Sequence, residues 1–356
     1  MKLLCICPIG IGNYLMFYPS CALIKKMRPD IELHILALRK AIKEIASGDH
    51  LWDKVHLIDP TREKNKGRIL SFIKELRKES YDVSLSFFPS NTWQYNLLPF
   101  LCGIPKRYNF SYPLKKISSL SFLSNRKYDM DHSLHDVNQN TGLAGFFLEK
   151  DLGKEELSFP LLYKDEDTEQ ALNMLKDCST VRLAIHPGSS VEHGMDAKRW
   201  EPERFGLLAD RICESVGATA LIFGGPDEQE IKLRTKAVMK HASRIIEPVN
   251  LGLTAALIKQ CSLCLCNDSG LMHVAAGVGI PVVAIFGPTD EKRNGPFGSG
   301  HLIIRKKMPG FPLWTARNVG ARVLPRGVDP RESLNALSVD EAWEQLKRWL
   351  EQLKNT

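Results

Sequence analysis

The sequence predicts an α/β protein built from two Rossmann-like domains, and three observations carry that expectation. Short apolar runs of strand length alternate with segments of helix length, the pattern of a parallel sheet flanked by helices. The alternation occurs twice, the two series separated by an acidic stretch at residues 164–168. The chain has 356 residues, 44% of them hydrophobic and 25% charged, which is enough for two ordinary domains with a core each.

In the first series, residues 3–7 read as a strand, 8–13 as a turn and 14–27 as a helix. A strand at 31–37, a helix at 40–46 and a strand at 54–58 follow. Residues 68–78 are expected to be helical because Ile69, Phe72, Ile73 and Leu76 recur at helical spacing, and 83–87 returns to strand. From 111 to 133 the composition turns to Ser, Lys, Tyr and Asp, which reads as a long surface loop and a candidate acceptor region.

The second series opens with a strand at 181–185, then a helix at 201–215, a strand at 219–223 and helices at 227–239 and 253–260. A buried strand at 263–266 runs into Asp268, Ser269 and Gly270, which suit a helix start. Strands at 282–286 and 302–305 complete the sheet. Ser338 and Glu341 have capping-box spacing and open an amphipathic helix carrying Trp343, Leu346, Trp349, Leu350 and Leu353. The expected organisation is therefore a first domain over 1–165, a second over 166–335 and a closing helix over 336–356, with the two Rossmann-like domains facing a central cleft.

Formal net charge is +7, and it is concentrated in front: Lys+Arg outnumber Asp+Glu by 24 to 18 through residue 165 and by 24 to 23 after it. A basic front suits an anionic partner, although lysines on solvated helix faces give the same count. Nine cysteines, an odd number lying mostly within apolar runs, point to a reducing compartment. Cys261, Cys264 and Cys266 straddle a helix end and a strand, and no second Cys/His pair completes a tetrahedral metal site. The apolar opening is broken by Pro8, Gly10 and Gly12, which fits a strand and glycine turn better than a secretion signal. No run of about eighteen apolar residues is present to span a membrane.

Chemistry-bearing residues gather at the carboxyl ends of predicted strands, where open α/β sheets bind ligands. Asp268, Ser269 and Gly270 start a helix whose N–H groups and dipole favour phosphate, and His273, four residues after Ser269, shares that helix face. Ser189 and Ser190 lie in a His-Pro-Gly-Ser-Ser loop suited to phosphate or sugar. Lys198 places an ammonium where it could neutralise a diphosphate, and Asp227 offers a carboxylate to a ribose or sugar hydroxyl. Each residue alone also reads as an ordinary cap or turn.

The order His-Pro-Gly-Ser-Ser, Lys-Arg-Trp, Phe-Gly-Gly-Pro-Asp-Glu, Asn-Asp-Ser-Gly-Leu-Met-His and Phe-Gly-Pro-Thr-Asp resembles glycosyltransferase family 9, the lipopolysaccharide heptosyltransferases. The match is strongest over 181–298, and Gly10-Ile11-Gly12-Asn13 extends it to the front. The resemblance implies a GT-B fold, with the closing helix expected to pack back on the first domain. It also implies an inverting transfer from a nucleoside-diphosphate sugar, ADP-heptose in the best-known members, with no metal and no cofactor beyond that substrate. By position, Ser189, Ser190 and Lys198 would hold the diphosphate and Asp227 the ribose. Asp268 would hold the sugar hydroxyls, while Ser269, Gly270 and His273 would present the helix terminus.

One departure matters. Family members carry an aspartate as acceptor base where this chain has Asn13, and an amide is no base near neutral pH. Asn13 could still orient the acceptor, with Asp129, Asp131, His132, His135 and Asp136 as replacement candidates; Asp131 and His135 are taken forward with Asn13 as the catalytic set. Asp129-Met130-Asp131 has the Asp-x-Asp form of metal-dependent transferases, a spacing common by chance. The expected partners are a nucleotide sugar and an anionic saccharide or glycolipid acceptor, not nucleic acid, in a cytoplasmic protein able to dock on the inner membrane face. A nucleotide-sugar epimerase and, because of Asn13, a non-catalytic sugar-nucleotide binder are the competing readings.

Overall fold

The structure, a computed structural model, describes residues 1–8, 10–59, 63, 65–112, 115–314 and 327–354. They divide into two compact units, one over Met1–Pro160 and another beginning at Leu161.

The first unit runs β1 (Lys2–Ile6), α1 (Ile11–Met27), β2 (Glu32–Ala37), α2 (Lys40–Ala46), β3 (Lys54–Leu57), α3 (Lys66–Lys78), β4 (Val83–Ser86), α4 (Gln94–Leu101), β5 (Lys106–Phe110), β6 (Arg126–Tyr128) and α5 (Asp136–Leu148). Its six strands are parallel in the order β3-β2-β1-β4-β5-β6. β1 and β4 are central and buried almost throughout, so they appear in the sequence as unbroken apolar runs. α1 is apolar all round and mostly buried, the pattern of a helix covered on more than one side. It packs against α5, and Phe17 stacks on Phe87 at 4.6 Å. Asn140 of α5 joins these layers: its Oδ1 accepts from the Phe88 N–H at 2.8 Å and its amide donates to the Met16 carbonyl at 3.4 Å.

The second unit repeats the plan with α6 (Asp165–Met174), β7 (Arg182–His186), α7 (Pro202–Val216), β8 (Thr219–Ile222), α8 (Gln229–Ala237), β9 (Ser243–Ile245), α9 (Leu251–Lys259), β10 (Leu263–Asn267), α10 (Gly270–Gly277), β11 (Val282–Ile285), α11 (Glu291–Asn294), β12 (Leu302–Ile304), α12 (Glu332–Asn335) and α13 (Val339–Lys354). Its order, β12-β11-β10-β7-β8-β9, is the same doubly wound arrangement read from the other edge. Both sheets therefore reverse direction beside their first strand, between β1 and β4 and between β7 and β10. Such a reversal opens a crevice at the strands' carboxyl ends.

One expectation, that of the polar stretch, is corrected. The closing helix α13 contributes to the second unit's core, where Ala342 and Leu346 are buried with Phe205, Leu208, Ile304 and Leu334. α13 lies against α7 and β12, while its capping box forms as expected, the Glu341 N–H donating to Ser338 Oγ at 3.1 Å. The polar stretch over 111–133 is not all loop, since β6 extends the sheet from Arg126 to Tyr128. In the acidic stretch, Asp165, Glu166 and Asp167 form the first turn of α6, where carboxylates favour a helix start.

Candidate functional site

The crevice between β7 and β10 is built by a buried asparagine. Asn267, the last residue of β10, accepts from the Trp200 N–H at 3.0 Å and donates to the Pro187 carbonyl at 2.8 Å, fixing the loops after β7 and before α7 in one place. Trp200 is itself locked, its indole N–H donating to the Leu337 carbonyl at 3.1 Å. The neighbouring lysine and aspartate are thereby brought together: Lys198 Nζ lies 2.9 Å from Asp268 Oδ2. Asp268 is only 2% exposed, and its oxygens also accept from the Asn294 amide of α11 at 3.2 Å. Burial opposes its ionisation, but the Lys198 ammonium outweighs that and holds its carboxyl below the usual range. The crevice thus holds an ion pair formed from two of the predicted residues.

A second network lies beside it. His186, the last residue of β7, has Nδ1 2.9 Å from Ser269 Oγ and Nε2 3.2 Å from Glu228 Oε2. Glu228 also accepts from the Gly225 N–H at 2.8 Å and lies 3.3 Å from the Arg199 guanidinium. Burial would raise its pKa, yet the His186 hydrogen bond, the Gly225 N–H and Arg199 pull it down to about 2. Gly188 is required here, because a Cβ on it would stand 1.9 Å from Glu228 Oε1. Asp227 is exposed on a short 3-10 turn while Glu228 faces inward, so the carboxylate that meets the crevice loops is the one the sequence reading passed over. The inward pair His186 and Glu228 could have been suspected from a histidine and a glutamate at the ends of adjacent strands, but only pairing across the sheet makes them neighbours.

The other predicted residues fall around these two networks. Ser189 is buried and donates to the Met195 carbonyl at 3.1 Å, while Ser190 is exposed. Ser269 is the N-cap residue of α10 and Gly270 its first residue; His273 is buried one turn on. α10 thus starts three residues after the end of β10.

In the first unit, Asn13 is the third residue of α1 and half-buried, following Gly10, whose φ of 112° is a left-handed setting that favours glycine. Asp131 is exposed, and its Oδ1 accepts from both the N–H and the hydroxyl of Ser133, which lowers its pKa. His135 is the N-cap of α5: its Nδ1 accepts from the Val137 N–H at 3.2 Å, so in this state the ring's lone pair is occupied. Asp136 is buried. Among the described residues no group of three or more His, Cys, Asp or Glu side chains could hold a metal ion, and all nine cysteines are free thiols.

The sequence profile of glycosyltransferase family 9 (heptosyltransferase) matches residues 69–312, more than half of the chain. The chain belongs to glycosyltransferase family 9. Lipooligosaccharide heptosyltransferase 2 of Haemophilus influenzae is 25% identical over 316 residues, covering 86% of this chain and 88% of that one. Lipopolysaccharide heptosyltransferase 1 of Campylobacter coli is 25% identical over 308 residues, covering 83% and 86%. The solved structure of ADP-heptose lipopolysaccharide heptosyltransferase II from E. coli superposes with a TM-score of 0.73 at 21% identity, over 99% of this chain and all of that one, and shares the fold. This glycosyltransferase therefore has the two Rossmann-like domains of GT-B enzymes. Its second-domain crevice sets the Lys198–Asp268 ion pair beside the N-terminus of α10, a cation and a helix terminus being groups that suit phosphate.

Proposed function

We propose that this glycosyltransferase moves heptose from ADP-heptose onto a lipopolysaccharide-core saccharide, with inversion and without a metal ion. The observation that supports the reading most is the placement of Lys198 against Asp268 beside the N-terminus of α10, at the point where the second sheet reverses. Two further E. coli heptosyltransferase structures, sharing the fold, are described with ADP and with ADP-2-deoxy-2-fluoro heptose.

In this reading the donor diphosphate lies across the first turn of α10, receiving N–H groups near Ser269 and Gly270 and hydroxyls from Ser189 and Ser190. Lys198 turns from Asp268 toward the phosphates, and Asp268, relieved of part of its ion pair, accepts from sugar hydroxyls. Asp227 meets the ribose, and His273 faces the same helix turn. As the bond from the anomeric carbon to the phosphate oxygen breaks, charge develops on the departing ADP. A fixed ammonium and a helix terminus stabilise that charge without reorganising, the role a divalent cation plays elsewhere. The acceptor hydroxyl forms the new bond to the anomeric carbon and gives up its proton.

Asn13 orients that hydroxyl and Asp131 receives the proton. His135 is the weaker candidate because its Nδ1 is committed to the Val137 N–H. The acceptor is anionic and glycolipid-borne, which suits the basic first domain and a cytoplasmic enzyme docked peripherally at the inner membrane face. Among the described residues no helix is long and apolar enough to cross a membrane.

The test is incubation of the protein with ADP-heptose, in EDTA, with and without phosphorylated lipopolysaccharide core. Acceptor-dependent release of ADP and a heptosylated product are expected. Conversion of donor alone would mean an epimerase. Donor binding without turnover on any core acceptor would mean a sugar-nucleotide binder, the reading Asn13 favours.

A further inference from the structure

We infer that His186 is a positioning residue that holds the Ser269 hydroxyl away from its own helix, leaving the first-turn N–H groups of α10 open to the donor diphosphate. The inference rests on the donor site proposed above.

Ser269 has the extended N-cap backbone, φ −150° and ψ 169°, from which a serine side chain ordinarily accepts from the second or third N–H of its helix. It makes no such bond. Its Oγ is instead 2.9 Å from His186 Nδ1. The direction of that bond follows from the opposite side of the ring. His186 Nε2 faces Glu228, a carboxylate that also accepts from the Gly225 N–H and pairs with Arg199, so Nε2 carries the proton. A neutral ring protonated at Nε2 has its lone pair at Nδ1, and Ser269 Oγ–H donates to it.

Glu228 and His186 thus form a chain that draws the hydroxyl toward β7. All three side chains are buried, at 7%, 6% and 7% exposure for Glu228, His186 and Ser269, so water does not compete for these bonds. Among the described residues, the α-helices with an Asn or Asp N-cap, α3, α9 and α11, do use the side chain as a cap, as Ser338 does for α13. Removing the His186 acceptor frees Ser269 to do the same, and the capped terminus then competes with phosphate.

The experiment is a double-mutant cycle read by calorimetric titration of ADP. His186→Gln keeps a donor near the Nε2 position for Glu228 but loses the acceptor near Nδ1. His186→Asn restores an acceptor there. ADP is expected to bind H186Q about five-fold more weakly than wild type, equivalent to one N-cap of about 1 kcal/mol. H186N recovers most of that loss. H186Q made in the S269A background binds ADP no more weakly than S269A alone, because no hydroxyl remains to cap the helix.

If H186Q weakens ADP in the S269A background as much as in the wild-type background, His186 does not act through the Ser269 hydroxyl and the inference fails. Equal binding by H186Q and wild type overturns it as well, whereas no binding of any nucleoside diphosphate by wild type overturns the donor site instead. Should H186Q not fold, the nitrogen-15 spectrum of wild-type His186 decides: an unprotonated Nδ1 is expected, and a protonated one refutes the mechanism.

Discussion

Replacing Gly188 by alanine tests whether the second-domain crevice is a tightly built electrostatic unit. The new Cβ would stand 1.9 Å from Glu228 Oε1, 2.4 Å from its Cδ and 2.9 Å from Oε2. The contact is with the carboxylate group itself, so the glutamate must withdraw by more than an ångström. At its present place it is held by the Gly225 N–H at 2.8 Å, His186 at 3.2 Å and Arg199 at 3.3 Å, none of which survives such a shift. Three bonds to a charged group at about 1.5 kcal/mol or more each, with the carboxylate unable to reach water, place the loss at about 3–5 kcal/mol. Urea denaturation of G188A measures it directly. A second variant separates this mechanism from backbone strain. If the clash is with the Glu228 carboxylate, E228A and G188A/E228A have the same stability within about 0.5 kcal/mol, a non-additivity expected of residues in contact. A G188A loss below about 1 kcal/mol, or an additive double variant, would refute the reasoning.

Other perturbations follow from the same geometry. Lys198→Ala strands the buried Asp268 charge and should cost about 3 kcal/mol in denaturation; K198A/D268N regains most of that stability but, with the donor site proposed above, not ADP binding. D131N should lose turnover about 10²-fold, read from ADP release, and Asn13→Asp in that background should restore part of it by supplying a carboxylate; full turnover in D131N would refute Asp131 as the proton acceptor. His56 has its pKa pressed from the ordinary 6.5 to about 4, first by burial, then by the charges of His34 and Lys54. The folded state therefore favours the neutral ring: its contribution is complete above pH 6.5 and is lost as pH falls toward 4, so thermal midpoints should drop over that window in wild type and drop less in His56→Phe.

How much of this was legible depended on how local each cause is. β1, β4, β7 and β10 are central strands of parallel sheets, covered on both faces, so they read as apolar runs without any knowledge of their neighbours. β6 was lost in the polar stretch because only three residues pair, Arg126, Lys127 and Tyr128, and what makes them a strand is Tyr108 to Phe110 waiting alongside. The heptad-like face of α13 showed that the helix would be buried but not against what. Its partners Phe205, Leu208 and Ile304 lie far away in the chain.

The crevice divides in the same way. Lys198, Asp268 and the helix start at Ser269 were visible because each sits in a recognisable local setting, a turn or a strand end, and the structure brings Lys198 against Asp268 at 2.9 Å. Glu228 was passed over for Asp227 because the two are adjacent carboxylates in one turn, and sequence alone does not say which faces inward. The choice is made by Gly188, whose missing side chain leaves room for Glu228, and by His186 across the sheet, which supplies its partner. A glycine read from the sequence as part of a ligand loop is, in the folded chain, the space that a buried glutamate occupies; the sequence shows the loop's chemistry and only the fold shows which neighbour it was shaped for.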